Sequence, residues 1–352
     1  MDNIVFLAEE YHYKKWTGKS YYDLITYIRD KNTKYKIHIF WSDDTTQNVY
    51  VKILELNPKL IFIFDTDTIQ SHLLKFDFIF YFNIPKVLCS LDMFHLSKFY
   101  FDQNMKYIDA ILHFSKNDAI VKTYSKLYPN KYIGSIDSRF ININKFKDYK
   151  LEKKYDILLY GTRNYLRNYK NEPLDSIQNW IKKYELNTNI VITNNDKVNF
   201  YHLRSKLENI LLKNSNKYNL KFLPEKCIFD AIVANEDLSK LINESYITIS
   251  CSTIADIMMH KYLEIGASKS VILGNIPTDY KNLFENNILE VNEFMTEEEI
   301  LKIIDDALAN KDKLEEMSNN LYNKIHQEHN FDCAVTNFND IFDTLIEKFL
   351  RI

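Results

Sequence analysis

Glycine is scarce in this sequence, with five residues among 352. Proteins average about 7% glycine, so glycine is absent here from most positions that another residue can occupy. The five that remain should mark places that need a left-handed backbone or a close approach of the chain. They are Gly18, Gly134, Gly161, Gly266 and Gly274, and each lies in a predicted loop or at a predicted strand–helix junction.

Cysteine is equally sparse, and the four cysteines form no Cys-x-x-Cys pair. This spacing excludes a paired-cysteine zinc or redox motif and indicates reduced thiols. No apolar run reaches the ~18 residues that cross a bilayer, and the first residues do not form a signal peptide. The net charge of −3 provides no bulk attraction to nucleic acid. We therefore expect a cytoplasmic protein with no nucleic-acid partner and no transmembrane segment.

Short β-branched strands alternate with helical segments along the whole chain. Examples are the strands Ile4–Ala8, Leu60–Phe64 and Tyr155–Tyr160, each followed by a helix or a polar loop. This alternation predicts an α/β protein with parallel sheets. The lysine-rich segment Asn142–Lys154 interrupts the alternation and is expected to link two domains. Its lysines are either solvated or in contact with an anionic membrane surface, so peripheral membrane contact stays open.

The stretch Ser250–Pro277 has the pattern of strand, helix and strand. Thr253 and Asp256 have the spacing of a capping box, which predicts a helix that starts near Thr253. Gly266 is expected at the left-handed position that ends this helix. Asp256 and Glu264 would then share one helix face, and the helix N-terminus would form an anion site.

The acid-x7-Glu pair in this stretch resembles the C-terminal signature of glycosyltransferases with the GT-B fold, whose usual form is Glu-x7-Glu. Lys261–Ala267 resembles the Arg-x-Phe-Glu-x-x-Ala-x-Gly stretch of the CgeB-like branch. Two departures are Asp256 in place of the first Glu, and Gly-Ala-Ser-Lys in place of the Ala-x-Gly order. The resemblance covers most of Lys131–Phe331.

The resemblance implies two Rossmann-like domains with a cleft between them. Residues 1–145 would form an N-terminal acceptor-side domain, and residues 155–331 a C-terminal nucleotide-sugar-binding domain. Residues 332–352 would form a helix that returns to the N-terminal domain. The implied reaction moves a sugar from a nucleotide-diphosphate sugar, such as a UDP- or GDP-sugar, to a hydroxyl of a glycan or other acceptor. The resemblance implies no bound cofactor and no metal, and the Asp-x7-Glu spacing resembles that of the retaining GT-B enzymes, which implies a retained anomeric configuration.

The resemblance and the predicted strand ends together nominate site residues. Arginine suits the diphosphate because its planar fork pairs with phosphate oxygens. Glu264 would accept hydrogen bonds from the ribose, and Asp256 would orient the sugar. The expected catalytic residues are Asp256, Arg163, Asp92 and His95; the expected donor-binding residues are Glu264, Lys261, Arg167, Gly161, Thr162, Ser252 and Thr253; the expected acceptor-binding residues are Glu9 and Trp16.

Other interpretations remain open at this point. Asp256, Arg163, Arg167 and Lys261 are also compatible with a solvated surface. Asp256, His260 and Glu264 have a spacing that suggests a metal site, but no further ligand accompanies them. Two other function classes are a GT-B enzyme that does not transfer, such as a nucleotide-sugar epimerase, and an inactive scaffold that binds a partner.

Overall fold

The structure is a computed structural model of the chain. It describes residues 1–8, 19–41, 46–65, 81–90, 106–114, 116, 118–136, 139–163, 166–168, 197–199, 201–224, 234–253 and 256–350. These residues form two compact units, one made of Met1–Asn142 with Asn330–Ile352 and the other of Ile143–His329. Within the described part, no helix is long and apolar enough to cross a membrane.

The secondary structure alternates as the sequence predicts. The strands are β1 (Asn3–Ala8), β2 (Lys36–Trp41), β3 (Leu60–Asp65), β4 (Lys86–Ser90), β5 (Ala110–His113), β6 (Tyr132–Ser135), β7 (Tyr155–Leu159), β8 (Leu166–Asn168), β9 (Lys197–Asn199), β10 (Leu220–Phe222), β11 (Ser245–Ile249), β12 (Val271–Gly274) and β13 (Ile288–Glu290). The α-helices are α1 (Lys19–Lys31), α2 (Thr46–Leu56), α3 (Asp118–Leu127), α4 (His202–Lys213), α5 (Asn235–Asn243), α6 (Lys261–Ala267), α7 (Lys281–Phe284), α8 (Glu297–Ala309), α9 (Lys311–Glu328) and α10 (Phe331–Leu350).

The first unit is built on a six-stranded sheet in the order β2-β1-β3-β4-β5-β6. Every pair of neighbouring strands in it is parallel. The final helix α10 belongs to this unit and supplies an aromatic stripe to its core. The ring centroid of Phe342 lies 5.1 Å from that of Phe62 and 6.1 Å from that of Phe6. Burial of these large rings holds the helix against the sheet.

The second unit has a parallel five-stranded sheet in the order β10-β7-β11-β12-β13. Its core joins the sheet to α4 and α8 through buried aliphatic residues such as Ile157, Ile249, Leu207 and Ile304. The predicted α/β architecture with parallel sheets is therefore confirmed. A short antiparallel pair of strands, β8 and β9, was not predicted and lies between β7 and α4 in the chain.

The start of α6 differs from the prediction, because it begins at Lys261 rather than near Thr253. Asp256 has φ +54°, a left-handed conformation that a right-handed helix does not contain. Its Oδ2 accepts a hydrogen bond from the Thr278 backbone N–H at 3.0 Å, and the Thr253 N–H donates to the Ile257 carbonyl at 3.2 Å. The expected helix face shared by Asp256 and Glu264 is therefore wrong, as is the helix N-terminus expected at Thr253–Asp256.

The end of α6 also differs from the prediction. The left-handed residue is Lys269, with φ +62°, rather than Gly266. The Ser270 N–H donates to the Ile265 carbonyl at 3.3 Å, and the Lys269 N–H donates to the Gly266 carbonyl at 3.2 Å. This pair of hydrogen bonds is the Schellman motif, with Lys269 at its left-handed position.

Gly266 instead serves close packing between α6 and α9. A Cβ atom at this position would lie 2.4 Å from Cδ1 of Ile325 and 2.8 Å from Cγ of Leu321. Glycine is therefore required here by its lack of a side chain, and its conformation is helical.

We predict that Gly266→Ala destabilises the protein by about 1–3 kcal/mol, because overpacking outweighs the ~1 kcal/mol gain in helix propensity. Urea unfolding of the full chain measures the change. Ile325→Val removes the contacting Cδ1 atom, so the cost of Gly266→Ala should be smaller in that background. An equal cost in both backgrounds would contradict this account of the glycine.

Candidate functional site

The candidate site lies in the second unit, at the point where the order of the strands in the sheet reverses. The chain passes from β7 to β10 on one side and returns to β11 on the other. Ligands of such sheets bind outside the carboxyl ends of the strands at this switch point. Parallel pairing of Ile247 with Ile157 and of Thr248 with Leu158 brings the ends of β11 and β7 side by side. The loops Tyr160–Arg163 and Ser250–Thr253 follow these two strands and therefore adjoin each other.

Glu264 is held in this region by two hydrogen bonds from different elements. The Tyr160 hydroxyl donates to Oε2 at 2.7 Å, and Nδ1 of His260 lies 3.2 Å from Oε1. The side chain is 15% exposed. Burial raises the pKa of Glu264, but the hydrogen bond and charge of His260, the charge of Lys261 and the Tyr160 hydrogen bond lower it to about 2. Glu264 is therefore an ionised carboxylate that retains lone pairs for further donors.

Gly161 makes room for Lys261 beside this carboxylate. Its φ of +81° lies in the left-handed region, and an added Cβ would lie 2.4 Å from Cε of Lys261. The Lys261 ammonium is 4.8 Å from the centroid of the Tyr160 ring, at cation–π distance. Any other residue at 161 would displace the lysine, so this glycine is needed for both its conformation and its small size.

The loop after β11 is fixed by Asn275 at the end of β12. The Ser252 N–H donates to Oδ1 of Asn275 at 3.0 Å, and the amide of Asn275 donates to the Ser252 hydroxyl at 2.6 Å. The Tyr262 hydroxyl donates to the Asn275 carbonyl at 2.7 Å. Gly274 allows this contact, because a Cβ there would lie 1.7 Å from the Ser250 carbonyl oxygen.

Asp256 lies on the same loop, outside the helix. Burial raises its pKa, while hydrogen bonds from Thr278 and Ser252 act in the opposite direction. The carboxylate thus fixes the turn between Ser252 and α6 by its bond to the Thr278 backbone.

Arg163, which was expected to contact the diphosphate, has a buried side chain and is therefore not solvated. Its Nη2 donates to the Leu223 carbonyl at 2.6 Å, and its Nε lies 3.0 Å from Oε1 of Glu208. The Arg163 carbonyl accepts a hydrogen bond from the Ser205 hydroxyl at 2.7 Å. These contacts engage the guanidinium within the protein. Arg163 thus anchors the loop in this structure, and its expected contact with a phosphate stays a prediction.

Several expected site residues are not described at this level of detail. Glu9, Trp16, Asp92 and His95 lie outside the described residues, as does the side chain of Arg167, whose backbone forms part of β8. Thr162 lies in the loop with Gly161, and Ser252 and Thr253 lie on the neighbouring loop. The structure therefore brings together Gly161, Thr162, Lys261, Glu264, Ser252 and Thr253.

Four residues of the region were not nominated from the sequence. Tyr160 and His260 hold Glu264, Asn275 holds Ser252, and the buried Arg204 donates to the Thr162 carbonyl at 2.6 Å. The spacing of His260 and Glu264 was visible in the sequence as a helical i, i+4 pair. Tyr160, Arg204 and Asn275 come from other elements and have no local signal.

A separate cavity of about 400 Å³ lies at the amino ends of β7 and β11, away from the candidate site. Lys153 lines it and donates to the carbonyl oxygens of Ser245 and Lys269 at 2.9 and 2.8 Å. Burial lowers the pKa of Lys153 to about 8. This lysine of the expected linker is therefore partly buried in the second unit rather than solvated.

Among the residues that the structure describes, no group of three His, Cys, Asp or Glu side chains could hold a metal ion. His260 and Glu264 contact each other instead. The charged groups described so far at the site are the carboxylates of Glu264 and Asp256 and the ammonium of Lys261 beside Gly161.

Comparisons with known proteins bear on the fold and on the second unit. Residues 204–340 match a family model described as glycosyl transferase-like. Sucrose-phosphate synthase from Thermosynechococcus elongatus is similar, with a TM-score of 0.60 at 9% identity over 99% of this chain and 100% of that one. Comparison with curated protein sequences gives no match.

Two other solved structures resemble the chain over nearly its whole length. HepE from Anabaena, in complex with UDP-glucose, has a TM-score of 0.56 at 13% identity over 98% of this chain and 99% of that one. A glycosyltransferase from Rickettsia africae has a TM-score of 0.53 at 12% identity, and 99% and 98% are covered. The predicted resemblance to GT-B glycosyltransferases is confirmed. The chain has the GT-B fold, and the finer CgeB-like assignment stays a prediction.

We predict that the ionised Glu264 stabilises the fold in a pH-dependent way. Its folded pKa of about 2 lies below the ordinary 4.5, so its contribution is present above about pH 4.5 and is lost as the pH falls toward 2. The shift corresponds to up to about 3 kcal/mol, of which more than ~1 kcal/mol is lost by pH 3.5. The measurement is urea unfolding of the wild type and Glu264→Gln between pH 7 and pH 3.5.

The difference in unfolding free energy between these two proteins should shrink as the pH falls. The exposed Glu298 provides a matched control, and Glu298→Gln should show no comparable trend. A difference that stays constant with pH would contradict the low pKa of Glu264.

We predict that Arg163→Met destabilises the full chain by about 3 kcal/mol or more, because Glu208 loses its buried partner. Chemical unfolding measures this change. The double variant Arg163→Met with Glu208→Leu should recover part of the loss, since no unpaired carboxylate remains. Wild-type stability in the single variant would show that the ion pair is not an anchor.

Proposed function

We propose that the protein is a glycosyltransferase that moves a sugar from a nucleotide-diphosphate sugar to a hydroxyl of an acceptor. The observation that carries the proposal is the oriented, ionised Glu264 beside Gly161 and Lys261 at the switch point of a parallel sheet. The Glu264 carboxylate can accept hydrogen bonds from two neighbouring hydroxyls, and the Lys261 ammonium lies beside the backbone of Gly161, a residue without a side chain. A nucleoside diphosphate presents both partners, because its ribose has two hydroxyls and its phosphates are anionic.

In this proposal Glu264 accepts hydrogen bonds from the ribose hydroxyls. Lys261 and the backbone of Gly161 and Thr162 lie toward the phosphates. Hydrogen bonds that involve a charged group are worth about 1.5–3 kcal/mol, so one carboxylate has a measurable effect on affinity. HepE, which has the same fold, was solved with UDP-glucose, and we therefore take UDP-sugars as the first donor class to test and GDP-sugars as the second.

For the transfer step, Asp256 orients the sugar, and the departing diphosphate accepts the proton of the acceptor hydroxyl. Protein cations stabilise the charge that develops on the leaving phosphate. This route needs no separate strong base and gives a retained anomeric configuration. Glu9, Trp16, Asp92 and His95 are proposed for the acceptor side, in a reaction of glycan or glycoconjugate synthesis in the cytoplasm.

The test is isothermal titration of the full chain with UDP and GDP. The wild type should bind at least one of them, and Glu264→Ala should lower the affinity by about 10- to 100-fold, which corresponds to about 1.5–3 kcal/mol. Glu298→Ala is the matched control, because Glu298 is exposed in the first turn of α8. It should bind as the wild type does.

Chelator in the titration cell should leave the affinity unchanged, because the proposal assigns the phosphate charge to protein cations. Transfer from the donor that binds is then followed by NMR of the product anomer. Equal affinity of Glu264→Ala and the wild type would contradict the donor site, and an inverted anomer would contradict the retaining route.

A further inference from the structure

Arg204 is a buried cation near the site that none of the steps above uses. It lies in the first turn of α4, is 1% exposed and is among the largest fully buried side chains of the chain. Its neighbours Leu203 and Leu207 belong to the apolar core that joins α4 to the sheet. The position on this core-facing helix therefore places the guanidinium inside the protein.

The guanidinium lies beneath the two loops of the candidate site. Its Nη1 donates to the Thr162 carbonyl at 2.6 Å, in the loop after β7. Burial raises the pKa of Cys251, while the charge of Arg204 and hydrogen bonds from it act in the opposite direction, which places the cation beside the loop after β11 as well. Its other side packs on the Tyr201 ring at 4.4 Å. Arg204 thus lies under the switch point between β7 and β11.

The charge of Arg204 is not paired with an opposite charge within the described part of the chain. Nε and Nη2 have no hydrogen-bond acceptor of ordinary geometry among the described residues, and the neighbouring Cys251 thiol is a neutral and weak partner. No carboxylate among the described residues forms an ion pair with this side chain. Arg163, in the loop after β7, differs because Glu208 lies against it. A buried charge without a partner costs several kcal/mol of folding stability. Because this cation lies at a switch point, where ligands bind, a bound anion would supply the opposite charge.

We infer that Arg204 is a positioning residue whose unpaired charge attracts and orients the diphosphate of the donor. The identity of the ligand rests on the proposed function. The inference itself is that the protein has a lower folding stability in exchange for tighter binding of the ligand. Without ligand, the cation beneath Thr162 lowers the stability of the fold. With an anion in the crevice, the same cation stabilises the complex, in addition to Lys261 above Gly161.

The experiment compares Arg204→Met, which removes the charge, with Arg204→Lys, which keeps it. Thermal unfolding without ligand should show that Arg204→Met is as stable as the wild type or more so. Titration with UDP and with inorganic pyrophosphate at low salt should show at least a tenfold loss of affinity for both probes. Arg204→Lys should retain most of the affinity and its dependence on salt. Arg204→Gln, which retains an amide donor for the Thr162 carbonyl, replaces Arg204→Met if that variant does not fold.

Two controls separate this inference from the proposed function. Arg163→Met removes an ion-paired arginine from the loop after β7 and should lower the melting temperature, whereas Arg204→Met should not. Glu264→Ala should weaken UDP but not pyrophosphate, since pyrophosphate has no ribose. If Glu264→Ala has no effect on either probe, the proposed donor site fails while the Arg204 comparison still stands.

The inference is overturned if Arg204→Met and Arg204→Gln bind both probes as the wild type does. It is also overturned if they lower the melting temperature as Arg163→Met does while affinity is unchanged, because Arg204 would then be only a structural anchor. A wild type that binds neither UDP nor pyrophosphate overturns it as well.

Discussion

The parallel pairing of β7 with β11 is the constraint on which the candidate site depends. It aligns the carboxyl ends of two strands that are far apart in sequence, and so places Tyr160 and Gly161 beside the loop that leads into α6. From this position the Tyr160 hydroxyl donates a hydrogen bond to Glu264. The strand order also reverses between β7 and β11, and a crevice forms outside the carboxyl ends of the strands at such a point.

Three buried charges around this crevice are treated differently by the fold. Glu264 is balanced by His260 and Lys261, and its low pKa follows from that balance. Arg163 is balanced by Glu208 and by carbonyl oxygens of the protein. Arg204 has no such partner among the described residues. Since burial of a charge is costly unless it is paired, the unpaired charge is the feature that most directly indicates an anionic ligand.

Much of the architecture was predictable because it depends on local pattern. The strands predicted at Ile4–Ala8, Leu60–Phe64 and Tyr155–Tyr160 lie within one residue of the bounds of β1, β3 and β7. Lys261, Gly161 and Glu264 were nominated from a scarce glycine and a family-like motif, and the structure places them together. The helix predicted to start near Thr253 was wrong, because the turn at Asp256 is stabilised by Thr278, twenty-two residues later in the chain.

By itself, the sequence determined the alternation of strands and helices, the parallel sheets and the position of one carboxylate with its adjacent cation. Only the tertiary structure decided what each charge contacts. Arg163 became an anchor because Glu208 comes from α4, and Gly266 became a packing contact because α9 lies against it. The physical reason is that periodicity and turn preferences act between near neighbours in the chain, whereas the pairing of a buried charge depends on elements that only folding brings together.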